Sequence, residues 1–263
     1  MEMLHHMSEL VRDTGADMAI GFDGDGDRCG VVDDECEEIF ADKMGVIMAR
    51  DLVKLYPGAT FVADVKSTGL FASDPELKKY GAKADYWKTG HSHMKRRVHE
   101  LGALAGFEKS GHYFLAPPIG RGYDCGMRVA VEVMKLMDRN PDMKLSDLRK
   151  ALPVTYSSPT MSPWCADEEK YQVLERLVAK MQALAAAGGS LGGVKIVDVV
   201  TVNGARVMLE NGGWGLVRAS SNTPNLVVVC ESPTSFDELK AIFADVDAVI
   251  RTEPSVGDYD QTI

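Results

Sequence analysis

Three aspartates on alternate residues are the feature of this sequence whose chemistry is most distinctive. Asp23, Asp25 and Asp27 are separated by glycines and lie between two apolar runs, Met18–Phe22 and residues 29–32. Glycine frees the backbone to curl, so the three carboxylates can converge on one point. Their repulsion would be relieved by a divalent cation, and oxygen ligands suit Mg²⁺, with Ca²⁺ and Mn²⁺ as alternatives.

Two other structures are compatible with an aspartate–glycine repeat. An acidic hairpin turn is one, because Asp-Gly is a common turn signal. An EF-hand loop is the other, but its sixth position is Arg28 where glycine is needed, and its twelfth is Asp34 where a bidentate glutamate belongs. We expect Arg28 to point away from the carboxylates, where its guanidinium suits a phosphate that bridges to the metal.

Composition excludes several classes of protein. The chain has 263 residues, enough for two domains, and 45% of them are hydrophobic. A formal charge of −10 argues against a general nucleic-acid binder. We expect no membrane span and no signal peptide, since no apolar run approaches about 18 residues. The five cysteines are scattered without a C-x-x-C pair, which predicts reduced thiols, a cytoplasmic location and no zinc site.

Hydrophobic periodicity in the first part of the chain predicts alternating helices and strands. Helices are predicted over residues 1–14, 42–55 and 123–138, with two more that end at Tyr80 and Leu101. In the helix over 123–138, the apolar positions include Met127, Val131, Met134 and Leu136. Strands are predicted over residues 60–65, 82–87 and 103–107. This order predicts an α/β fold, with a mixed, mostly parallel sheet flanked by helices.

A polar cluster follows each predicted strand of this sheet. In open α/β sheets a ligand binds outside the carboxyl ends of the strands, so we expect these clusters to share one edge. The residues concerned are Lys66, Lys88, His91, Glu108, Ser110 and His112. Glu108 and Ser110 have the spacing of a pair that grips sugar hydroxyls, or of an ordinary polar turn. His112 begins an apolar strand and is either a core histidine or a general acid/base.

The last hundred residues predict a second, smaller α+β domain with an antiparallel sheet. Residues 155–166 have the composition of an interdomain linker, and a helix is predicted over 167–187 with Asp167 as its N-cap. Short strands and a closing helix over 235–250 follow. One loop is unusually polar and could surround a phosphate without a metal, although an ordinary polar loop explains it equally well. Its residues are Arg218, Ser220, Ser221, Asn222 and Thr223.

Five motifs, taken in order, resemble those of the α-D-phosphohexomutase family. They are D-G-D-G-D-R, D-V-K, W-K-T-G-H-S, F-E-K-S-G-H and R-A-S-S-N-T-P. The resemblance covers nearly the whole chain and is strongest to bacterial phosphomannomutase/phosphoglucomutase. It implies a Mg²⁺-dependent interconversion of hexose 1-phosphate and 6-phosphate, of mannose or glucose, through a hexose 1,6-bisphosphate. It also implies that a phosphoserine supplies the phosphoryl group.

The resemblance also implies a role for each motif residue. Asp23, Asp25 and Asp27 would bind the metal, and Arg28, Lys66 and His91 would lie near the transferring phosphate. Glu108 and Ser110 would hold the sugar hydroxyls O3 and O4, and His112 would be the general acid/base. Further substrate contacts would come from Lys88, Thr89 and Gly90. The non-reacting phosphate would be held by Arg218, Ser220, Ser221, Asn222 and Thr223.

The sequence departs from the family pattern in one respect, since no segment resembles the T-A-S-H-N-P-like phosphoserine motif of the first family domain. The chain therefore resembles the C-terminal part of a mutase: the end of domain two over 1–41, domain three over 42–156 and domain four over 160–263. We expect the chain alone to be inactive and to need an N-terminal domain or a partner chain. The alternatives are a non-catalytic phosphosugar-binding fragment and one half of a split enzyme.

A metal-dependent phosphatase is a third interpretation of the aspartate loop. Phosphatases that form an aspartyl phosphate use a D-x-D motif with a downstream lysine and acidic pair, which this loop does not match cleanly. The expected partners are a phosphohexose and its bisphosphate, with no nucleic acid and no membrane.

Overall fold

The chain folds into two compact units, Met1–Pro153 and Val154–Ile263. The computed structural model describes the backbone of residues 2–263 and the side chains from residue 5 onward. The sequence suggests a further boundary near residue 41, and that three-part division stays a prediction. Among the described residues, no helix combines the length and apolarity that a membrane crossing requires.

The first unit opens with a helix against a small antiparallel sheet. Helix α1 (Glu2–Thr14) precedes strands β1 (Met18–Phe22), β2 (Cys29–Asp33) and β3 (Glu38–Ile39), which pair in that order. Met7 and Val11 of α1 pack with Val32 in a buried cluster. Leu10, which the helical period places on the same face, is 57% exposed. The predicted contributions of Met3 and Leu4 lie outside the described side chains.

The larger sheet of the first unit is mostly parallel, which confirms the predicted fold class. Strands β4 (Thr60–Asp64), β5 (Lys83–Trp87), β6 (Ala105–Phe107) and β7 (Tyr113–Leu115) lie in the order β5-β4-β6-β7. Strand β4 is parallel to both neighbours, whereas β7 is antiparallel to β6. The helices of this layer are α2 (Ala41–Leu55), α3 (Leu70–Ser73), α4 (Pro75–Lys79) and α5 (His91–Leu101).

The prediction of a single helix that ends at Tyr80 is wrong, because the chain forms two short helices, α3 and α4, in its place. Asp74 lies between them, and its carboxylate accepts hydrogen bonds from the N–H groups of Glu76 and Leu77. Pro75 occupies the first turn of α4, where a missing N–H is harmless. This N-cap begins a new helix and thereby ends the previous one.

Helix α6 (Gly126–Arg139) begins three residues later than predicted and is followed by α7 (Leu145–Lys150). Leu136 is buried as expected, together with Val129 and Val133. Met127, Val131 and Met134 are exposed, by 66%, 38% and 49%, so these apolar positions do not belong to the core. The helix carries apolar residues on two faces, and periodicity alone does not decide which face the sheet covers.

The second unit packs two helices against an antiparallel sheet, as predicted. Its strands are β8 (Tyr156–Ser157), β9 (Ser190–Leu191), β10 (Val194–Val200), β11 (Ala205–Leu209), β12 (Trp214–Ala219) and β13 (Leu226–Ser232), in the order β8-β13-β12-β11-β10-β9. Its helices are α8 (Lys170–Ala186) and α9 (Phe236–Ile250). Leu177 and Met181 of α8 and Leu239 and Ile242 of α9 contribute to one buried core.

Residues 155–166 belong to this sheet and do not form a linker. Strand β8 pairs with β13, and Met161 is fully buried and pairs with Val228. The prolines favoured the prediction of an irregular segment, but backbone groups between them form hydrogen bonds with β13. Asp167 is also not the N-cap of α8: the helix begins at Lys170, and Asp167 accepts a hydrogen bond from the Lys170 side chain at 2.6 Å.

The two faces of α6 can be distinguished by substitution. We expect Met134→Lys to change the free energy of unfolding by no more than about 0.5 kcal/mol, because the side chain is half exposed. Val133→Ala, at the next position, should destabilise by roughly 1–3 kcal/mol, because it empties a buried site. Urea unfolding of both variants tests this, and equal losses would show that the assigned face is wrong.

Candidate active site

The three aspartates lie in the turn that joins β1 to β2. Gly26 adopts φ = +76°, a conformation that glycine tolerates, and its N–H donates to the carbonyl oxygen of Asp23 at 3.2 Å. One carboxylate oxygen from each of Asp23, Asp25 and Asp27 lies within 4.8 Å of the other two. This convergence of oxygen ligands fits a hard divalent cation such as Mg²⁺.

Arg28 points toward the aspartates, so the expectation that it points away is wrong. Its Nε lies 2.5 Å from Asp23 Oδ2 and 3.9 Å from Asp27 Oδ1, and its backbone N–H donates to Asp23 Oδ1. Burial raises the pKa of Asp23, but the two hydrogen bonds from Arg28 outweigh it and lower that pKa to about 2. The guanidinium lies beside the carboxylates of Asp23 and Asp27 because opposite charges attract. Residue spacing alone does not reveal the direction of the Arg28 side chain.

Asp64, a buried aspartate that opens the D-V-K motif but received no predicted role, connects the segments that follow three strands. Asp64 is fully buried at the end of β4, and its carboxylate accepts hydrogen bonds from Ser67 Oγ at 2.5 Å, Thr89 Oγ1 at 2.8 Å and Lys109 N at 3.3 Å. These donors follow β4, β5 and β6 respectively. The signal in the sequence was a lone carboxylate inside the apolar run T-F-V-A-D-V.

Glu108 organises the part of the site that follows β6. It is 2% exposed, and it accepts from Gly90 N at 2.5 Å and from Ser110 Oγ at 3.0 Å. His112 Nδ1 lies 3.2 Å from Glu108 Oε2 and 3.0 Å from Ser110 Oγ. Burial raises the pKa of Glu108, but the hydrogen bonds that its carboxylate accepts outweigh burial, so the pKa is lowered. The hydrogen bond to Glu108 raises the pKa of His112.

The aspartate loop and this strand-end cluster form one site within the first unit. Arg28 and His112 face each other in an antiparallel backbone bridge, and Cys29 N donates to Gly111 O at 3.1 Å. His112 Nε2 lies 3.4 Å from Asp27 Oδ2. His112 therefore lies between the Glu108 carboxylate and a proposed metal ligand.

The remaining predicted residues of the first unit lie at the same edge of the sheet. Lys66 follows β4 and is half-buried, Lys88 follows β5 and is exposed, and Thr89 bonds to Asp64. Gly90 has φ = +123° and is the N-cap of α5. His91 is the first residue of α5 and not part of a loop, and its ring lies 6.3 Å from that of His112.

Asp124 is a second residue that the sequence analysis missed. Its carboxylate lies 2.9 Å from Lys95 Nζ and 3.8 Å from His91 Nδ1. Asp27, His112 and Asp124 also have potential ligand atoms within 4.8 Å of one another. Asp124 precedes α6 in a Y-D-C-G segment that carried no recognised signal.

The polar loop of the second unit follows β12. Arg218 is half-buried near the end of that strand, and its Nη1 donates to Ala219 O at 3.0 Å. The hydroxyls of Ser220 and Thr223 lie 2.7 Å apart, and Ser220 Oγ accepts from the N–H groups of Asn222 and Thr223. Ser221, Asn222 and Thr223 are exposed. The loop thus presents hydroxyl and amide groups to solvent, and its phosphate-binding role stays a prediction.

Three models of one protein family match successive parts of the chain. They are described as phosphoglucomutase/phosphomannomutase alpha/beta/alpha domain II over residues 1–36, alpha/beta/alpha domain III over residues 40–156 and the C-terminal domain over residues 165–249. The matched segments include the aspartate loop, the strand-end cluster and the polar loop.

Known proteins match the chain along almost its whole length. A Pseudomonas putida protein named phosphomannomutase/phosphoglucomutase is 33% identical over 257 residues, which cover 97% of this chain and 52% of that protein. A Neisseria gonorrhoeae phosphoglucomutase is 32% identical over 96% of this chain. The crystal structure of a phosphoglucomutase/phosphomannomutase family protein from Burkholderia thailandensis matches with a TM-score of 0.82 and 28% identity. The chain spans about half the length of these relatives.

Close packing at Gly126 provides one test of the site. Gly126 N donates to Gly26 O at 2.9 Å, and a Cβ at position 126 would lie 2.6 Å from Arg28 O and 3.0 Å from Gly26 O. We expect Gly126→Ala to destabilise the chain by about 1–3 kcal/mol and to weaken Mg²⁺ binding, because the aspartate loop must shift. Urea unfolding and calorimetric Mg²⁺ titration measure both effects.

Gly24→Ala is the matched control for that substitution. A Cβ at position 24 would have no neighbour within 4 Å, and Gly24 does not have a positive φ. The control should therefore lose little stability. Equal losses in the two variants would contradict the packing described for Gly126.

The pair formed by Glu108 and His112 predicts a dependence of stability on pH. Because the pKa of His112 is raised in the folded chain, this histidine stabilises the fold fully below the unfolded histidine pKa of about 6.5. That stabilisation is lost as the pH rises through the pKa of His112 in the folded chain. Because the pKa of Glu108 is lowered in the folded chain, the ionised carboxylate also stabilises the fold, and that stabilisation is lost as the pH falls through the pKa of Glu108 in the folded chain. Metal-free chain should therefore become less stable as the pH rises above about 6.5.

Glu108→Gln should reduce this loss of stability at rising pH, because the anion that raises the His112 pKa is gone. Glu100→Gln, on the exposed face of α5, is the control and should keep the wild-type dependence. The measurement is the free energy of unfolding in urea between about pH 6 and 9. Identical slopes in all three proteins would overturn the assignment to this pair.

Proposed function

Because the chain belongs to the α-D-phosphohexomutase family, we propose that it takes part in interconverting hexose 1-phosphates and 6-phosphates, of mannose or glucose, through a hexose 1,6-bisphosphate. One observation carries the proposal: the Arg28–His112 bridge brings three converging carboxylates next to a cluster suited to sugar hydroxyls. The relatives are about twice as long as this chain, so the complete reaction is part of the proposal.

Asp23, Asp25 and Asp27 are the residues that would hold Mg²⁺. When bound, Mg²⁺ would neutralise negative charge that develops on the transferring phosphoryl group. The lowered pKa of Asp23 keeps that ligand ionised at neutral pH. The Arg28 guanidinium, which is half exposed beside these carboxylates, would bind an oxygen of the same phosphate.

Glu108 and Ser110 would position the sugar. Glu108 is ionised at neutral pH because its pKa is lowered, so its carboxylate accepts hydrogen bonds from hydroxyls. Ser110 Oγ can donate or accept, and it is exposed next to Glu108. Such a pair would accept the hydroxyls O3 and O4 of either sugar in both orientations of the substrate. Lys88, Thr89 and Gly90 would contribute further contacts along the same edge.

His112 would act as the general acid/base. Its Nδ1 faces Glu108 and Ser110, which leaves Nε2 directed toward Asp27 and the aspartate loop. The raised pKa favours the protonated ring near neutral pH, which suits donation of a proton to a sugar oxygen as the phosphoryl group leaves. Lys66 and His91 would stabilise the phosphate charge from the same edge.

The polar loop of the second unit would bind the phosphate group that does not react. Arg218 would provide the positive charge, and Ser220, Ser221, Asn222 and Thr223 would provide neutral donors. No carboxylate lies in this loop, so an anion there would not meet direct repulsion.

The phosphoserine would come from a segment other than those described. No T-A-S-H-N-P-like motif occurs in the sequence. We therefore expect no turnover from the chain by itself, and activity in the presence of an N-terminal domain or partner chain that carries the serine. A non-catalytic phosphosugar-binding role is the second candidate, and the same missing motif favours it.

Calorimetric titration with glucose 1,6-bisphosphate, with and without Mg²⁺, tests whether the chain binds its proposed ligand. We expect saturable binding, which Arg218→Ala weakens by at least about tenfold, because a charge-assisted contact to phosphate is lost. Lys180→Ala, which removes a positive charge elsewhere in the second unit, is the control. The absence of any binding at millimolar ligand would contradict a preformed phosphosugar site.

An assay of glucose 1-phosphate conversion separates the two candidate functions. The chain alone should show no conversion. Addition of a serine-bearing N-terminal segment from a relative should produce conversion if the chain is part of a mutase, and none if it only binds phosphosugars. Conversion by the pure chain would refute the proposal that it lacks the phosphoryl carrier.

A further inference from the structure

A nearly buried lysine lies beneath the polar loop of the second unit and has no part in the function proposed above. Lys170 is 3% exposed and is the first residue of α8. Its Nζ donates to Asp167 Oδ1 at 2.6 Å and to the carbonyl oxygen of Thr223 at 3.0 Å. The second contact joins positions 53 residues apart in sequence.

The burial of Lys170 calls for an explanation beyond its pairing with Asp167. Lysine is among the residues least often buried, and removing its charge from water is unfavourable unless partners compensate. The Asp167 side chain is 60% exposed, so this ion pair could form at the surface without burying the lysine. Burial instead brings Nζ under the loop, within hydrogen-bond distance of Thr223.

The Thr223 carbonyl is a fixed point of the loop. It also accepts from Asn225 N at 2.8 Å, and Cys165 N donates to the neighbouring Pro224 O at 2.9 Å. With its carbonyl held inward, Thr223 directs its N–H and its hydroxyl toward Ser220 Oγ. The position of Thr223, and through its bonds that of Ser220, therefore depends on the two donors that hold this carbonyl, Lys170 Nζ and Asn225 N.

We propose that Lys170 is a positioning residue for the phosphate-binding loop: its Nζ, paired with Asp167, fixes the Thr223 carbonyl and thereby holds the loop in a conformation that binds a phosphate monoester of a sugar. This inference rests on the proposed function of the loop. Arg218 supplies the positive charge at one end of the loop, and Lys170 holds the backbone at the other end. Neither the family motif nor the spacing of the loop residues includes this lysine.

The test is the affinity of the full chain for glucose 1,6-bisphosphate, measured by calorimetry in three variants. Lys170→Met should weaken binding by roughly tenfold or more, because the hydrogen bond to the Thr223 carbonyl is lost and the Asp167 carboxylate keeps no cation beside it. Lys170→Gln retains an amide donor without charge and should bind with intermediate affinity. Lys180→Met removes a positive charge from the same helix, where Lys180 pairs with Glu253, and should bind like wild type.

A second measurement separates positioning of the loop from general loss of structure. The amide NMR signals of Asn222 and Thr223 should shift in Lys170→Met without ligand, while signals from the β10–β11 hairpin stay unchanged. They should not shift in Lys180→Met. Should Lys170→Met fail to fold, the comparison of Lys170→Gln with Lys180→Met decides the question.

The outcomes distinguish this inference from the proposed function. If wild type binds and Lys170→Met, or Lys170→Gln in its place, binds equally well, the role of Lys170 is refuted while the proposed function survives. If wild type does not bind the bisphosphate, the proposed function and the inference fall together. Weaker binding in the Lys170 variants, with the two amide shifts and an unaffected control, supports the inference.

Discussion

The first unit depends on the hydrogen bonding of buried carboxylates. Glu108 has almost no contact with water, and an ionised carboxylate is stable there only if donors surround it. Gly90 N, Ser110 Oγ and the His112 ring supply those donors, and each comes from a segment that follows a strand. The hydrogen bonds that stabilise the Glu108 charge thereby fix the positions of Ser110, which is proposed to hold the sugar, and of His112, which is proposed to transfer a proton.

Asp64, at the end of the neighbouring strand β4, is a second buried carboxylate that needs hydrogen-bond donors around it. It draws Ser67, Thr89 and Lys109 together, and these residues follow three different parallel strands. Parallel strands end at a common edge, but their loops would otherwise be free to diverge. Buried carboxylates that collect donors from separate loops convert that edge into a site of defined shape.

The two candidate phosphate sites use different chemistry. In the first unit, converging aspartates would require a cation before a phosphate could approach, which suits a group whose charge changes during transfer. In the second unit, Arg218 and neutral hydroxyls form a loop without carboxylates, which suits a phosphate that is held and not transferred. The buried Lys170 pairs with Asp167 and donates to the Thr223 carbonyl, so this loop is held from within the second unit and needs no metal to keep its shape.

The sequence by itself determined which residue types the candidate site contains and their order along the chain. The spacing of Asp23, Asp25 and Asp27 predicted their convergence, and the alternation of helices and strands predicted that polar clusters would meet at one edge of a sheet. Both features depend on local periodicity and on chain order, which the sequence displays directly. The family motifs lie on these same segments.

Only the tertiary structure decided which faces are buried and which distant groups pair. The exposed face of α6, the strand inside the presumed linker and the roles of Asp64, Asp124 and Lys170 follow from contacts between residues far apart in the chain. The direction of Arg28 follows from the folded shape of its own loop. A side chain selects its partner from the groups that folding brings within about 3 Å, and that set is not written in residue spacing. The residue types of this candidate site are therefore visible in its sequence, whereas its geometry is a property of the packed fold.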